Sequence, residues 1–417
     1  MKLKKQILSL LCITAILSSG VSAYANTASD TSDLINSNIP NINADDSIAN
    51  SESVEAFYNS SADDKNIYNY FYDNSISMLS VGTWGSRDTC YGDTLDDVQR
   101  IIYDTLVNNF DSAVSEKTCY INSGVTKSEC EKALEGARQA FFLDYPERFW
   151  NDDFEIANFK KTSSGAEITI SWNSDFFSSA SDVNSKMNVL ESRSDNIIND
   201  MNNSSTVKSD GDKIAYLHNW LLNNVSYDYS AADAGIYNDP EPYTAYGAIV
   251  SGKAVCQGYS HAMTLLCKKA GITCITVMGY KQGAPHSWNY VKLIGDFYLV
   301  DSTNDDGGGY KYRYFLIPSS SKYVSNLIFY LPSTANDSYV KYGDVDEDNS
   351  INIFDVSWIS GYSSSTNKDS YRSQISEIGF IAADVNGDNN VDSTDSNEVL
   401  NKVLDSTYQL PVYNKLG

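Results

Sequence analysis

Apolar and polar positions along the chain change period several times. Over Asp96–Phe110, Val98, Ile101, Ile102 and Leu106 recur at helical spacing. Lys127–Phe142 predicts a second helix, stopped at Asp144-Tyr145-Pro146 because the residue before proline disfavours helix. Asp153–Lys161 and Ala166–Asn173 alternate around Ser163-Ser164-Gly165, the pattern of a β-hairpin. Ser181–Asn203 predicts a polar helix and Asp212–Asn224 a shorter amphipathic one. Cys256–Gly271 predicts a helix with Gly271 as its stop, followed by a β-branched strand over Ile272–Tyr280. His286–Leu293 and Phe297–Thr303 predict two strands joined at Ile294-Gly295-Asp296. A helix followed by an antiparallel meander makes the class α+β.

The first residues fit a targeting signal. Lys2, Lys4 and Lys5 precede an apolar run from Ile7 to Leu17, then Ala23-Tyr24-Ala25. That order reads as a secretory signal peptide cleaved after Ala25 or Ala23, and about 11 apolar residues fall short of the ~20 that span a bilayer. No other run is long enough for a membrane span. Residues 26–54 are polar and acidic without Lys or Arg, which predicts a disordered linker. The net charge of −24 repels phosphates and anionic lipid, so nucleic acid is not an expected partner. Beyond the signal stand Cys90, Cys119, Cys130, Cys256, Cys267 and Cys274, too sparse for a disulfide scaffold. Cys119 and Cys130 bracket a short polar stretch and could pair; Cys267 and Cys274 read as buried thiols.

The tail carries an internal repeat. GDVDEDNSINIFD at Gly343–Asp355 returns as ADVNGDNNVDSTD at Ala383–Asp395. Calcium takes six to eight oxygens from carboxylates alternating along a tight loop. The first copy offers Asp344, Asp346, Asp348, the Ser350 carbonyl, Asn352 and Asp355; the second offers Asp384, Asn386, Asp388, the Asn390 carbonyl, Asp392 and Asp395. Position 12 is Asp rather than Glu, and position 6 is Asn349 or Asn389, which Asn tolerates through its ease in left-handed geometry. Two copies in register, each followed by a helical pattern, resemble a dockerin. That resemblance implies two Ca2+ ions and a cohesin domain on a scaffoldin as partner. In that family loop positions 10 and 11 usually contribute to recognition; here they are Ile353-Phe354 and Ser393-Thr394.

One constellation carries chemistry. Cys256 stands at a predicted helix start, where partial positive charge and free N–H groups favour a thiolate. A nucleophilic cysteine also needs a histidine to take its proton and a carboxylate to orient it. The predicted hairpin sets His286 and Asp301 opposite or diagonal on one face, with Gly283-Ala284-Pro285 making the approach to His286 irregular. His261 points away from the thiol round the helix and reads as a helix-surface or core residue, and His218 lies mid-helix in packing or solvent contact. Asp305–Gly309 reads as an acidic surface loop.

AYGAIVSGKAVCQGYSHAMTLLCKKAGITCITVMGY and HSWNYVKLIGDFYLVDST resemble the transglutaminase-like superfamily of bacterial secreted proteins. The likeness runs over about 130–315 and is strongest over 245–303. It implies a papain-like core with Cys256 as nucleophile, His286 as base and Asp301 as orienting acid. It also implies backbone N–H groups at the helix start as an oxyanion hole, and Tyr246 as a candidate assisting aromatic. Where the family often has Trp after the strand-end Thr, this chain has Asn304.

The expected organisation is signal peptide 1–25, linker 26–54, helical and hairpin region 55–205, papain-like transglutaminase core 206–339 and a small all-α calcium-binding dockerin 340–417. The leading reading is a secreted acyl-transfer enzyme acting on a peptide or protein substrate, a peptidase or an amine transferase, anchored in a cell-surface or free multienzyme complex. A non-catalytic binding or structural module on the same fold is the alternative. A glycosidase is weaker, since no paired-carboxylate motif is present. Without ions the loop acids repel one another, so chelation is expected to unfold the C-terminal module in part; the catalytic part is expected to stay active, because its triad holds no metal-ligand set.

Overall fold

The computed structural model describes residues 90–109, 116–148, 154–172, 180–235, 239–327, 329 and 331–416. The expectations for residues 1–54 lie outside these.

An N-terminal unit is built from α1 (Asp97–Asn109), β1 (Glu116–Ile121), α2 (Lys127–Asp144), β2 (Phe154–Lys161) and β3 (Ala166–Trp172). Its antiparallel sheet has the order β1-β3-β2. Thr126 starts α2 with a capping box closed by Glu129, which satisfies first-turn N–H groups. Asp144, at the far end of α2, is buried. It accepts the N–H groups of Tyr91 and Gly92 and the Tyr103 hydroxyl at 2.8–2.9 Å. Burial outweighs those bonds and pushes its carboxyl up to about 7. Tyr91 in turn donates to the Thr276 carbonyl at 2.7 Å, tying this unit to the central sheet. Cys119 and Cys130 share its core as free thiols rather than a bridge.

The central unit follows: α3 (Ala180–Asn202), α4 (Asp210–Asn224), β4 (Ser226–Tyr227), α5 (Tyr229–Ala234), β5 (Lys253–Ala254) and α6 (Cys256–Lys269). Then come β6 (Cys274–Lys281), β7 (Ala284–Leu293), β8 (Asp296–Val300), α7 (Ser302–Asp306), β9 (Phe315–Ile317) and β10 (Tyr323–Ser325). The sheet is antiparallel in the order β10-β6-β7-β8-β9. Both tight hairpins are two-residue turns with positive φ at each central residue: Gln282 (+52°) and Gly283 (+84°), then Ile294 (+50°) and Gly295 (+96°). Such turns match the right-handed twist of the flanking strands. The expected irregular approach to His286 is therefore absent, and β7 pairs regularly from Ala284.

Helix α6 lies on this sheet and is buried from Cys256 to Cys267. Gly258 permits the fit, because a Cβ there would stand 2.4 Å from the Pro242 carbonyl oxygen. A mixed α+β architecture is thus established. Among the described residues no helix is long and apolar enough to cross a membrane.

The tail adds α8 (Ile353–Ser364), α9 (Lys368–Arg372), α10 (Glu377–Ala383) and α11 (Ser393–Leu404). One hydrophobic cluster runs without a break from Leu217, Tyr259 and Leu266 of the central unit to Tyr342, Ile378 and Val399 of the tail. The central unit and the tail contribute to the same cluster.

Candidate active site and calcium loops

Cys256 is the first residue of α6. Its N-cap, Val255, offers no side chain to the helix, so no side-chain cap occupies the first-turn N–H groups. The Cys256 thiol neighbours His286 and, after Asp301, helps to raise it. His286 lies on β7, and Nε2 stands 2.8 Å from Oδ2 of Asp301. The register Asn289 to Val300 and Leu293 to Asp296 fixes this. Extended past Val300, it places Asp301 diagonally across from His286 on the same face.

Asp301 has two tasks. Its Oδ1 accepts from the Asn304 N–H at 3.2 Å and caps α7. Its Oδ2 faces His286, and it also accepts from the Tyr323 hydroxyl at 2.7 Å and the Asn304 amide at 2.5 Å. Lys281 Nζ stands 3.4 Å from the same oxygen, over the Tyr314 ring. Burial works against charge on both partners, yet the opposite charge wins. His286 is pushed up to about 10, and Asp301 is held well below the usual carboxylate range. For Lys281 burial prevails and lowers the ammonium.

A cavity of about 230 Å³ opens beside His286, lined by Lys281, Gln282, Ala284, Pro285, Asn304 and Tyr314. The arrangement can move a proton from a thiol to an imidazole held by a carboxylate, next to a space for substrate. Sequence reasoning missed Lys281 and Tyr323, which reach Asp301 from β6 and β10; only strand order reveals that neighbourhood. Asn304, noted as standing where Trp is common, closes over the pair with its amide 2.8 Å from His286 Nε2.

Other expected residues sit elsewhere. His261 is buried edge-on to Phe142, with ring centroids 4.8 Å apart, and burial pushes it down to about 3. Tyr246 packs on the core beneath Lys186. Cys267 and Cys274 are buried. Asp305 departs from the expected surface loop: it lies in α7, fully buried, 3.3 Å from His218 Nε2. The hydrophobic cluster carries the chain inward there, and His218 gives the carboxylate a partner.

In the tail, both loops wrap as their spacing requires. Asn349 and Asn389 each have φ +71°, the left-handed geometry. Asp344, Asp346 and Asp348 each present an oxygen within 4.8 Å of one another. Asp344 Oδ1 and Asn386 Oδ1 are buried without a hydrogen-bond partner. Burial, with neighbouring carboxylates, pushes Asp384 up to about 6 and Asp395 to about 7. Orphaned oxygens and crowded acids are what a hard dication would satisfy, so the donor set fits calcium. Asp355 and Asp395, at position 12, also accept the N–H groups of Asn352 and Asp392 in capping boxes that start α8 and α11.

Comparison with known proteins agrees with this division. Residues 197–310 match the model of the transglutaminase-like superfamily. Residues 342–404 match the dockerin type I domain. The chain therefore joins a transglutaminase-like core to a C-terminal dockerin of a family that generally binds calcium and engages cohesins. The kyphoscoliosis peptidase of Mus musculus is 30% identical over 111 residues, 24% of this chain and 16% of that protein. The Homo sapiens protein of that name is 29% identical over the same share. The chain thus spans about a sixth of these curated relatives. Among solved structures, a TGase shares 13% identity with a TM-score of 0.27, covering 45% of this chain and 50% of that one. A candidate cysteine protease from Cytophaga hutchinsonii shares 16% identity with a TM-score of 0.22, covering 36% and 62%.

Proposed function

We propose that this chain is an exported cysteine-dependent acyl-transfer enzyme acting on peptide or protein amides. The observation that carries the reading is the contact order Cys256–His286–Asp301 at the start of a buried helix, beside an open cavity. In this reading the thiol proton already rests on His286, which Asp301 keeps as the imidazolium, and the thiolate sulfur attacks the amide carbonyl. First-turn N–H groups of α6 receive the oxyanion. His286, held by Asp301, returns the proton to the departing amine. The thioester on Cys256 is then resolved by water or by an acceptor amine, with His286 again taking the proton.

Residues 206–339 supply this chemistry. Residues 340–417 hold two calcium ions and seat in a cohesin, with Ile353 and Phe354 as the exposed apolar pair at its first loop. Hydrolysis is favoured over amine transfer, since the matching relatives are named peptidases and a dockerin suits a degradative assembly.

The test is turnover of a peptide-amide library with and without added amine. Wild type should release amine, and Cys256→Ala should not while keeping its circular dichroism spectrum. Full activity in Cys256→Ala would leave the non-catalytic binding module as the better reading.

A further inference from the structure

One side chain of the second calcium loop bonds to the segment that leads away from the candidate active site. Asn389 sits at position 6, where the loop reverses with positive φ and no ligand is required of the side chain. Its amide turns outward and makes a two-point bridge to the central unit. Nδ2 donates to the Gly309 carbonyl at 2.6 Å, and Oδ1 accepts from the Lys311 N–H at 2.9 Å. Its own N–H donates to Asp384, the first acid of the loop, at 2.8 Å.

From Lys311 the contacts continue inward. Its carbonyl pairs with His218 Nε2 at 3.0 Å. A carbonyl only accepts, so Nε2 carries a proton. His218 Nδ1 pairs at 3.0 Å with the Ser302 hydroxyl, one residue beyond Asp301. Asp305, beside His218, donates its N–H back to the Asp301 carbonyl at 3.2 Å.

The two glycines at the start of the bridged segment are open. Gly308 and Gly309 have φ +93° and +92°, and nothing lies within 4 Å of where their Cβ atoms would stand. Glycine at such φ gives the chain wide freedom, so its conformation depends on what holds it. Tyr310, next in the chain, anchors the same junction by donating to the Tyr342 hydroxyl at 3.0 Å. The first loop offers an internal contrast, since the Asn349 amide meets Lys341 within the tail itself.

We infer that Asn389 is a positioning residue for the Cys256–His286–Asp301 site, and that filling the second calcium loop orders the segment 302–311 that follows Asp301. The inference rests on the calcium reading of the loops. It revises the expectation that the catalytic part is indifferent to chelation. By linkage, the coupling runs both ways.

Asn389→Gly tests it cleanly. Glycine is the residue most calcium loops use at position 6 and adopts the same φ, so ion uptake is kept while the bridge is lost. Asn349→Gly is the control. Full-length wild type and both variants are compared in calcium and in EDTA, with uptake read by calorimetry and backbone exchange of 302–311 by deuterium-labelling mass spectrometry. In wild type and Asn349→Gly, calcium should slow exchange of 302–311 about tenfold, the scale of two hydrogen bonds. Asn389→Gly should take up calcium with no such slowing, and its Cys256 alkylation rate should not respond to calcium. Calcium uptake without a change at 302–311 in wild type overturns the inference and leaves the acyl-transfer reading standing. The same holds if Asn389→Gly slows as wild type does. Absence of uptake overturns the inference and the calcium reading together.

Discussion

The Nε2 of His286 and the Oδ2 of Asp301 lie 2.8 Å apart, and that carboxylate oxygen is also the meeting point of Tyr323, Asn304 and Lys281. An acid held by so many donors stays ionised and fixed, and an imidazole facing it holds its proton. The pair therefore contributes to stability as well as to reactivity, and the two effects separate by pH.

His286 is raised from its ordinary value to about 10, so the folded chain binds that proton more tightly than the unfolded chain. The resulting stabilisation is fully present below the unfolded value of ~6.5 and is lost as pH rises through about 10. Asp301 is lowered, so its contribution is present above ~3.9 and fades only under strong acid. The Tm of wild type minus that of Asp301→Asn should thus be largest between about pH 4 and 6.5 and shrink towards pH 10. A difference that is flat over this range would place the pair outside the stability balance.

Tyr323→Phe removes one donor to Asp301 while keeping the ring against Trp288, 5.0 Å centroid to centroid. A hydrogen bond to a charged group is worth about 1.5–3 kcal/mol, which sets the loss in kcal/mol terms at roughly ten- to hundredfold in kcat/KM if the carboxylate drifts. Asn304→Ala should act in the same direction. Steady-state kinetics on the best peptide of the library reads both; unchanged kcat/KM in each would show that Lys281 and the backbone suffice to hold Asp301.

The shared hydrophobic cluster predicts cooperative melting. Asp212 is buried at the start of α4, where Oδ2 accepts from Ser209 and Lys208 while Oδ1 accepts the Ile378 N–H at 2.9 Å. Thr206 and Glu377 bond to each other beside it. Calorimetry of the full chain in calcium should show the central unit and the tail unfolding in one transition. Asp212→Ala should lower that transition, since it strips a helix cap and leaves the Ile378 N–H buried and unpaired, a cost of about 2–4 kcal/mol. Two transitions in wild type, with only one moved by the substitution, would mean that the parts fold separately.

The sequence disclosed what depends on local order. Helix periodicity, the Gly271 stop, the hairpin that sets His286 beside Asp301 and the loop spacing of the tail are all written within short windows. What it concealed depends on strand order and docking. Lys281 and Tyr323 meet Asp301 because β6 and β10 are neighbours, which no spacing reveals. Asp305 looked like part of an exposed acidic run, but its partner His218 is far away in sequence. Asn389 looked like a turn residue, and its φ fits that role, yet its amide is spent on a different unit. Nothing in the pattern of the repeat marks Ile378 or Tyr342 as part of a cluster shared with the central unit.

The central claim is a covalent acyl intermediate on one thiol. The direct measurement is acid-quenched mass spectrometry of the full chain after brief exposure to an activated acyl donor, with the adduct mapped by peptide digestion. The account predicts one acyl group per chain, on Cys256, absent in Cys256→Ala and slow to form in His286→Ala. Acylation spread over Cys267 or Cys274, or none on Cys256 while the peptide library is still turned over, would contradict it.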